Sequence, residues 1–214
     1  MTSTQKQGTA TLYHSHRCQR TNMSSVHLLL IPRNPAYYFQ HPLEFLSTNP
    51  TLLADIQKRV TRLKTLAASE LRRQYGHQSA SDAPYQTALK DMMCSPSPPS
   101  PSQRSSLLPP GRDWLADIKA GVHTHPSMNH LHIHILSQDM QSPWLRHKKH
   151  YLSFNTTFFV EMHEFPLEKE SKRFHPGGWS SWEMTCWRCG TGFGNKFAKL
   201  KEHLADEFEA WKKI

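Results

Sequence analysis

The chain has 214 residues, 37% of them hydrophobic, with 15 prolines and a formal charge of +9 that leaves its 15 histidines uncounted. That length suits one compact domain with a small appendage, and the charge favours a polyanionic partner, nucleic acid before an anionic membrane surface. No apolar run is long enough to span a bilayer, the N-terminus lacks the apolar core of a signal peptide, and the four cysteines therefore read as thiols or metal ligands in a reducing compartment.

Residues 1–24 are polar and without period, and are expected to be disordered. Residues 26–32 (Val-His-Leu-Leu-Leu-Ile-Pro) read as a buried strand that Pro32 ends, with His27 its one polar residue. His27 fits a hydrogen-bonded core histidine as well as a functional one. Asn49-Pro50 supplies an N-cap and a first helical residue. Leu52, Leu53, Ile56, Val60, Leu63, Leu66, Ala67 and Leu71 then recur at helical spacing, and Gly76 is the expected stop. Residues 77–112, with Ser-Pro-Ser-Pro-Pro-Ser-Pro-Ser at their centre, offer little apolar surface and read as a disordered insertion.

Residues 114–124 partly alternate, with Ile118, Ala120 and Val122 on one face. After a turn at Pro126-Ser127-Met128, a second strand carries Leu131, Ile133 and Ile135 on one face and His130, His132 and His134 in a row on the other. The two strands are expected to pair as an antiparallel hairpin. Residues 141–160 interleave Arg146, Lys148, Lys149 and His150 with Trp144, Tyr151, Phe154, Phe158 and Phe159. Such a mixture suits a phosphate backbone and a stacked base; a strand or loop with core aromatics and solvated lysines fits equally. Residues 161–180 read as a linker. Beyond it, Cys186 and Cys189 form a C-x-x-C, and a helix of period Phe197, Leu200, Leu204, Phe208, Trp211 places His203 and Glu207 one turn apart. Two thiolates on a knuckle and two ligands on one helical face make a tetrahedral zinc site.

The histidine row admits three uses. Alternate histidines can chelate zinc or nickel, although no carboxylate stands at matching spacing on the strand. They can be a polar surface. Or a neutral imidazole, which keeps a lone pair at physiological pH, can attack phosphorus and be expelled again.

His130-Leu131-His132-Ile133-His134-Ile135-Leu136 matches the H-φ-H-φ-H-φ-φ signature of the histidine-triad superfamily. Together with 26–32, Gly-Val-His-x-x-Pro-Ser-Met (121–128), Ser-Gln-Asp-x-x-Ser-Pro (137–143), Lys-Lys-His-Tyr-x-Ser-Phe-Asn-Thr (148–156) and the finger, it resembles the aprataxin family, with the H-x3-E ending of its fungal members. The resemblance implies an α+β fold: a HIT-like antiparallel sheet with a flanking helix over 25–160, and a C2HE zinc finger over 181–214. It implies a DNA 5′-adenylate hydrolase acting at nicked or double-stranded ends, with AMP as product, and a nuclear location. His132 would be the nucleophile, flanked by His130 and His134, with His27 completing the catalytic set in the pocket and His123 binding substrate. Ser127 and Met128 would bind substrate, Lys148 and Lys149 would hold DNA, and the zinc would be structural, with no catalytic metal. A general triad hydrolase of small adenylates, or a zinc-finger DNA binder with impaired chemistry, are the other readings. The family's leading strand, helix and Pro-Lys-Ala-Arg-like run have no counterpart in 1–25, so an exposed sheet edge is expected beside the His27 strand.

Overall fold

In the computed structural model, residues 13–16, 23–126 and 130–214 are described. Five short strands make one antiparallel sheet: β1 (Tyr13–His16), β2 (His27–Pro32), β3 (Ile118–His123), β4 (Ile133–Ser137) and β5 (Phe159–Glu161), in the spatial order β1-β2-β4-β3-β5. The expected hairpin is present, with Ile118 opposite Ser137 and Gly121 opposite His134. The expected bare edge is not, because Tyr13–His16 pairs with β2 from Pro32 to Leu29. That strand also corrects the disorder expected for 1–24; the rest of that stretch up to residue 22 lies outside the described residues.

The two sides of the sheet have different covers, and the period of two in the strands decides which residue meets which cover. Val26, Leu30, Ile118, Ala120, Val122, Ile133 and Ile135 face the long helix α2 (Pro50–Tyr75), which presents Leu53, Ile56, Val60, Ala67 and Leu71. Gly76 caps α2 as expected, its N–H bonding the carbonyl of Arg72. Asn49 precedes the helix as expected but does not cap it with its side chain, which instead donates to the carbonyl of Phe45 at the end of a short preceding helix, α1 (Pro42–Thr48). The other side of the sheet carries Leu136 and the histidines. It is covered by α5 (Lys148–Asn155) and by the finger, through Tyr151, Leu152, Phe154, Met184, Cys186, Leu200 and Leu204. The helix α5 corrects the strand or loop expected there.

Residues 77–112 are not a disordered insertion. They hold α3 (Ala83–Met93) and α4 (Pro101–Leu107). Several of the prolines and serines that suggested disorder stand at helix starts, where proline lacks only an N–H that would be orphaned anyway. Pro84 opens α3, Pro101 opens α4, and Ser100 makes a capping box with Gln103, whose Oε1 accepts the Ser100 N–H at 3.0 Å. Before α3, Asp82 is fully buried. Its carboxylate accepts the N–H of Arg112 at 3.0 Å and the Gln86 amide at 2.9 Å, and pairs with Arg72 at 3.1 Å. A Cβ on Gly76 would stand 2.7 Å from this carboxylate; one on Gly111, whose φ is +62°, would stand 2.4 Å away. Both glycines are there so that backbone can close on Asp82.

The finger comprises β6 (Met184–Thr185), β7 (Gly192–Gly194) and α6 (Phe197–Lys212). It is built into both cores of the sheet domain rather than tethered to it. Trp211 lies in the α2-side core, its indole N–H donating to Asp117 at 2.9 Å. Arg112 donates to the Trp211 carbonyl at 2.7 Å and to Asp117 at 2.9 Å, stacked over Trp114 and Trp211. The backbone N–H groups of Ala80 and Ser81 bond the carbonyls of Lys213 and Ile214. The segment 161–180, expected as a linker, packs Phe165, Leu167 and Phe174 onto the same core.

Candidate active site and finger

β4 begins only at Ile133, so the row of three divides. His132 and His134 are buried, and His130 stands exposed at the rim. His27 reaches the cluster from β2. Its strand is held in register by Asp139, which is buried and accepts the Ser25 N–H at 3.0 Å and the Ser25 hydroxyl at 2.9 Å. Ser137 adds a hydroxyl contact to the Val26 N–H at 3.1 Å. His123 enters from β3, its ring 4.6 Å from that of His134. Gly121, opposite His134, has no room for a side chain: a Cβ would meet the Val160 carbonyl at 2.2 Å.

Protons can be placed by following the donors. The N–H of Met23 donates to Nδ1 of His27 at 3.3 Å, so His27 carries its proton on Nε2 and gives it to Nδ1 of His134 at 2.9 Å. His134 is therefore protonated on Nε2, a buried N–H with no partner among the described residues. His132 donates from Nδ1 to the carbonyl of His130 at 2.7 Å, which leaves a lone pair on Nε2. Burial keeps these rings neutral. It lowers His132 against the raising effect of its bond to His130, pushes His134 well below the ordinary histidine value and takes His123 down to about 3. A neutral imidazole with an uncommitted Nε2 beside an unsatisfied N–H has the chemistry to serve as a nucleophile next to an oxyanion donor.

Phe154 forms the floor, with its ring 4.6 Å from His123, 5.1 Å from His134 and 5.6 Å from His27. Its burial makes it one of the core aromatics that the sequence allowed, rather than a stacking face. Sequence reasoning also passed over Lys119, which holds the end of α5 by donating to the Phe154 carbonyl at 2.7 Å and to Asn155 at 3.1 Å. Its position opposite Leu136 on the histidine face was the available signal. Burial lowers its ammonium to about 8. Lys148, expected on a phosphate backbone, instead ties α5 to the finger through the Ser181 carbonyl at 3.2 Å and the Asn195 side chain. Lys149 is exposed. Ser127 and Met128 lie outside the described residues.

In the finger, donor atoms of Cys186, Cys189 and His203 lie within 4.8 Å of one another. The knuckle turns through Gly190 at φ +75°, and the Arg188 N–H approaches Cys186 Sγ at 3.4 Å, as amides do around a bound thiolate. Cys189 Sγ is 3.1 Å from His203 Nε2. Glu207 places Oε1 at 3.5 Å from the same nitrogen, and its other oxygen pairs with Arg188. Two thiolates, an imidazole and an adjacent carboxylate fit zinc.

The profile of the C2HE / C2H2 / C2HC zinc-binding finger matches residues 155–210, and that of the scavenger mRNA decapping enzyme C-terminal binding region matches 110–150. An aprataxin-like protein of Schizosaccharomyces pombe is 32% identical over 189 residues, 88% of this chain and 68% of that protein. One of Saccharomyces cerevisiae is 39% identical over 97 residues, 44% of this chain and 45% of its own length. The crystal structure of the aprataxin ortholog Hnt3 in complex with DNA superposes with a TM-score of 0.65 at 30% identity, covering 89% of this chain and 80% of that one. On that identity and coverage, the chain belongs to the aprataxin-like family.

Proposed function

We propose that the chain is a DNA 5′-adenylate hydrolase that clears AMP from abortive ligation ends. The observation that carries this reading is the bond from His132 Nδ1 to the His130 carbonyl, because it commits one nitrogen and leaves the other its lone pair. Nε2 of His132 attacks the α-phosphorus of the adenylate. An N–P bond forms as the P–O bond to the DNA 5′-phosphate breaks, and that phosphate leaves with the electron pair. The ring becomes cationic, and the His130 carbonyl already accepts its Nδ1–H. The Nε2–H of His134, without a partner among the described residues, would donate to a non-bridging oxygen as charge builds there. Water then opens the phosphoramidate and AMP departs. A phosphate is a good leaving group, so this chemistry needs no metal at the histidines, and zinc in the finger, with Glu207 as fourth ligand, is structural.

DNA as partner is supported by the charge of +9, by the finger and by the ortholog solved on DNA. Ser127 and Met128 are proposed to hold the nucleotide, and Lys149 the backbone. A nuclear site of action goes with that substrate. Among the described residues, no helix is long and apolar enough to cross a membrane.

The test is single-turnover release of AMP from adenylated nicked DNA beside AMP-lysine, with acid-free trapping of the phosphoramidate. Wild type is expected to favour the DNA and to yield an AMP adduct on His132. His132→Ala is expected to lose more than about 10³-fold in rate while binding DNA as before. Equal turnover of AMP-lysine, or no adduct, would overturn the reading.

A further inference from the structure

Phe154 reaches the pocket from the last turn of α5, its ring edge to face with His134 at 5.1 Å and with His27 at 5.6 Å. The Ser153 carbonyl of the same turn is a hydrogen-bond partner of His123. Where this turn sits therefore decides how the rings are packed. Two anchors fix it. At one, the Tyr151 hydroxyl bridges the cysteine knuckle, donating to the Thr185 carbonyl at 2.7 Å and accepting the Trp187 N–H at 2.9 Å. At the other, Lys119 reaches across from β3 to the Phe154 carbonyl and Asn155 Oδ1. Asn155 closes the frame by donating from Nδ2 to the Tyr151 carbonyl at 2.9 Å. An ammonium against the carbonyl end of a helix is favoured by the helix dipole, and a charged donor makes bonds about twice as strong as a neutral one.

Building on the hydrolase reading above, we propose that Lys119 is a positioning residue for the reaction at His132. By gripping the end of α5 it fixes Phe154, and through Phe154 it fixes His134, whose ring stands 4.8 Å from that of His132. The grip depends on charge. Around the ammonium stand Glu161 on β5 and Asp139 after β4, which both favour the charged form, with Glu164 paired to Arg173 across an adjoining cavity of about 390 Å³. The end of α5 offers it neutral oxygens, and His123 and His134 beyond Phe154 are neutral too. Burial outweighs the two carboxylates and brings the ammonium down to about 8. Above that pH the amine keeps N–H groups but not its charge, and α5 is held more loosely.

The test is kcat and KM for a 5′-adenylated duplex across neutral and alkaline pH, in the full zinc-loaded chain. Wild type should show an alkaline fall in kcat centred near pH 8. Lys119→Arg carries a guanidinium that does not titrate there, and the cavity leaves room for it. It should keep kcat within about threefold at neutral pH and lose the fall. Glu161→Gln removes a charge that favours the ammonium, and should move the fall to lower pH by about half a unit. Lys119→Met should lower kcat about tenfold with KM within about twofold, because the lost contact acts on the reacting groups and not on the DNA. A brace that served folding alone would change the melting temperature, but would neither displace the fall nor separate kcat from KM. Absence of the fall in wild type, a fall that stays in place in Lys119→Arg or Glu161→Gln, loss of kcat in Lys119→Arg, or a KM that rises as much as kcat drops in Lys119→Met would each overturn the positioning role. If Lys119→Met does not fold, the two charge variants decide. A wild type that releases no AMP would overturn the hydrolase reading and the positioning role with it, whereas an active wild type whose profile ignores both charge variants overturns the positioning role alone.

Discussion

Histidine does two opposite jobs in this molecule, and the environment decides which. In the pocket, His27, His132 and His134 are buried, the first and last against Phe154, and each ring has one nitrogen assigned by a neighbour: Met23 N–H, the His130 carbonyl, the next ring. Burial removes positive charge and keeps a lone pair ready. In the finger, His203 is partly exposed and sits among Cys189, Glu207 and Arg188, where charge is compensated by ion pairs and thiols. Hydrogen bonding with Thr191 lowers the Cys189 thiol to about 7, which suits it to a cation. The lesson is that neutrality is made by a dry wall and metal affinity by gathered charge, with the same side chain serving both.

Removing the metal should break the comparison most. Structural zinc contributes on the order of 10 kcal/mol to folds of this type. Here the loss should not stay local, because Leu200 and Leu204 share a core with Leu136, Phe154 and Phe159. A chelator, or Cys186→Ser, is expected to melt finger and histidine pocket in one transition and to abolish turnover. Calorimetry showing two separate transitions, with the rate retained after the first, would mean that the two sites are independent modules.

Asp82→Ala tests the tie between them from the opposite end. The carboxylate is fully buried; it pairs with Arg72 and accepts the backbone N–H of Arg112, whose guanidinium in turn holds the end of α6. Removing one partner of a buried pair leaves the other uncompensated, which costs about 3 kcal/mol or more. Denaturant midpoints should fall accordingly, with the isosteric Asp82→Asn losing less. A midpoint within error of wild type would show that the clamp is ornamental to stability.

Acid should act on the pocket histidines in a definite direction. Their pKa values in the folded chain are below the ordinary 6.5, His123 at about 3 and His134 well down, so between pH 6.5 and about 3 the unfolded chain binds protons that the folded one refuses. Stability is complete above pH 6.5 and declines as pH falls through that window, by about 1.4 kcal/mol per pH unit for each such ring. For the same reason the acid limb of turnover should lie below 6.5, since His132 remains a base there. His123→Phe should remove one ring's share of the stability slope, leaving whatever metal loss contributes. If the slope is the same in both chains, His123 is not held neutral by the fold.

What sequence could reveal divides along the same line. The hairpin was legible because Ile118, Ala120 and Val122 alternate against Leu131, Ile133 and Ile135, and the finger because C-x-x-C and a helical His203–Glu207 pair have few other uses. Residues 77–112 were misread because their order rests on one buried carboxylate that meets partners 10 residues before it (Arg72) and 30 after it (Arg112), which no local pattern displays. The orientation of His132, the proposed nucleophile, was invisible for a related reason: its partner is a backbone carbonyl, and every residue has one. Lys148 was assigned to DNA because side-chain chemistry says nothing about which anionic or carbonyl oxygen is nearest.

The smallest expected effect draws the boundary between scaffold and surface at two adjacent lysines. Lys148 and Lys149 open α5 together, but only Lys148 is engaged by the finger, through Ser181 and Asn195, while Lys149 is exposed. If Lys149 meets the DNA backbone, Lys149→Ala loses one phosphate contact and the slope of log affinity against log salt flattens by about 0.9, with melting unchanged. Lys148→Ala should show the reverse: a lower melting temperature, because the helix loses its tie to the finger, and a slope that does not move. Both measurements use the same titration, so each variant controls the other. Equal slopes for both variants and wild type would remove α5 from the DNA surface and leave it the single task of holding Phe154 under the histidines.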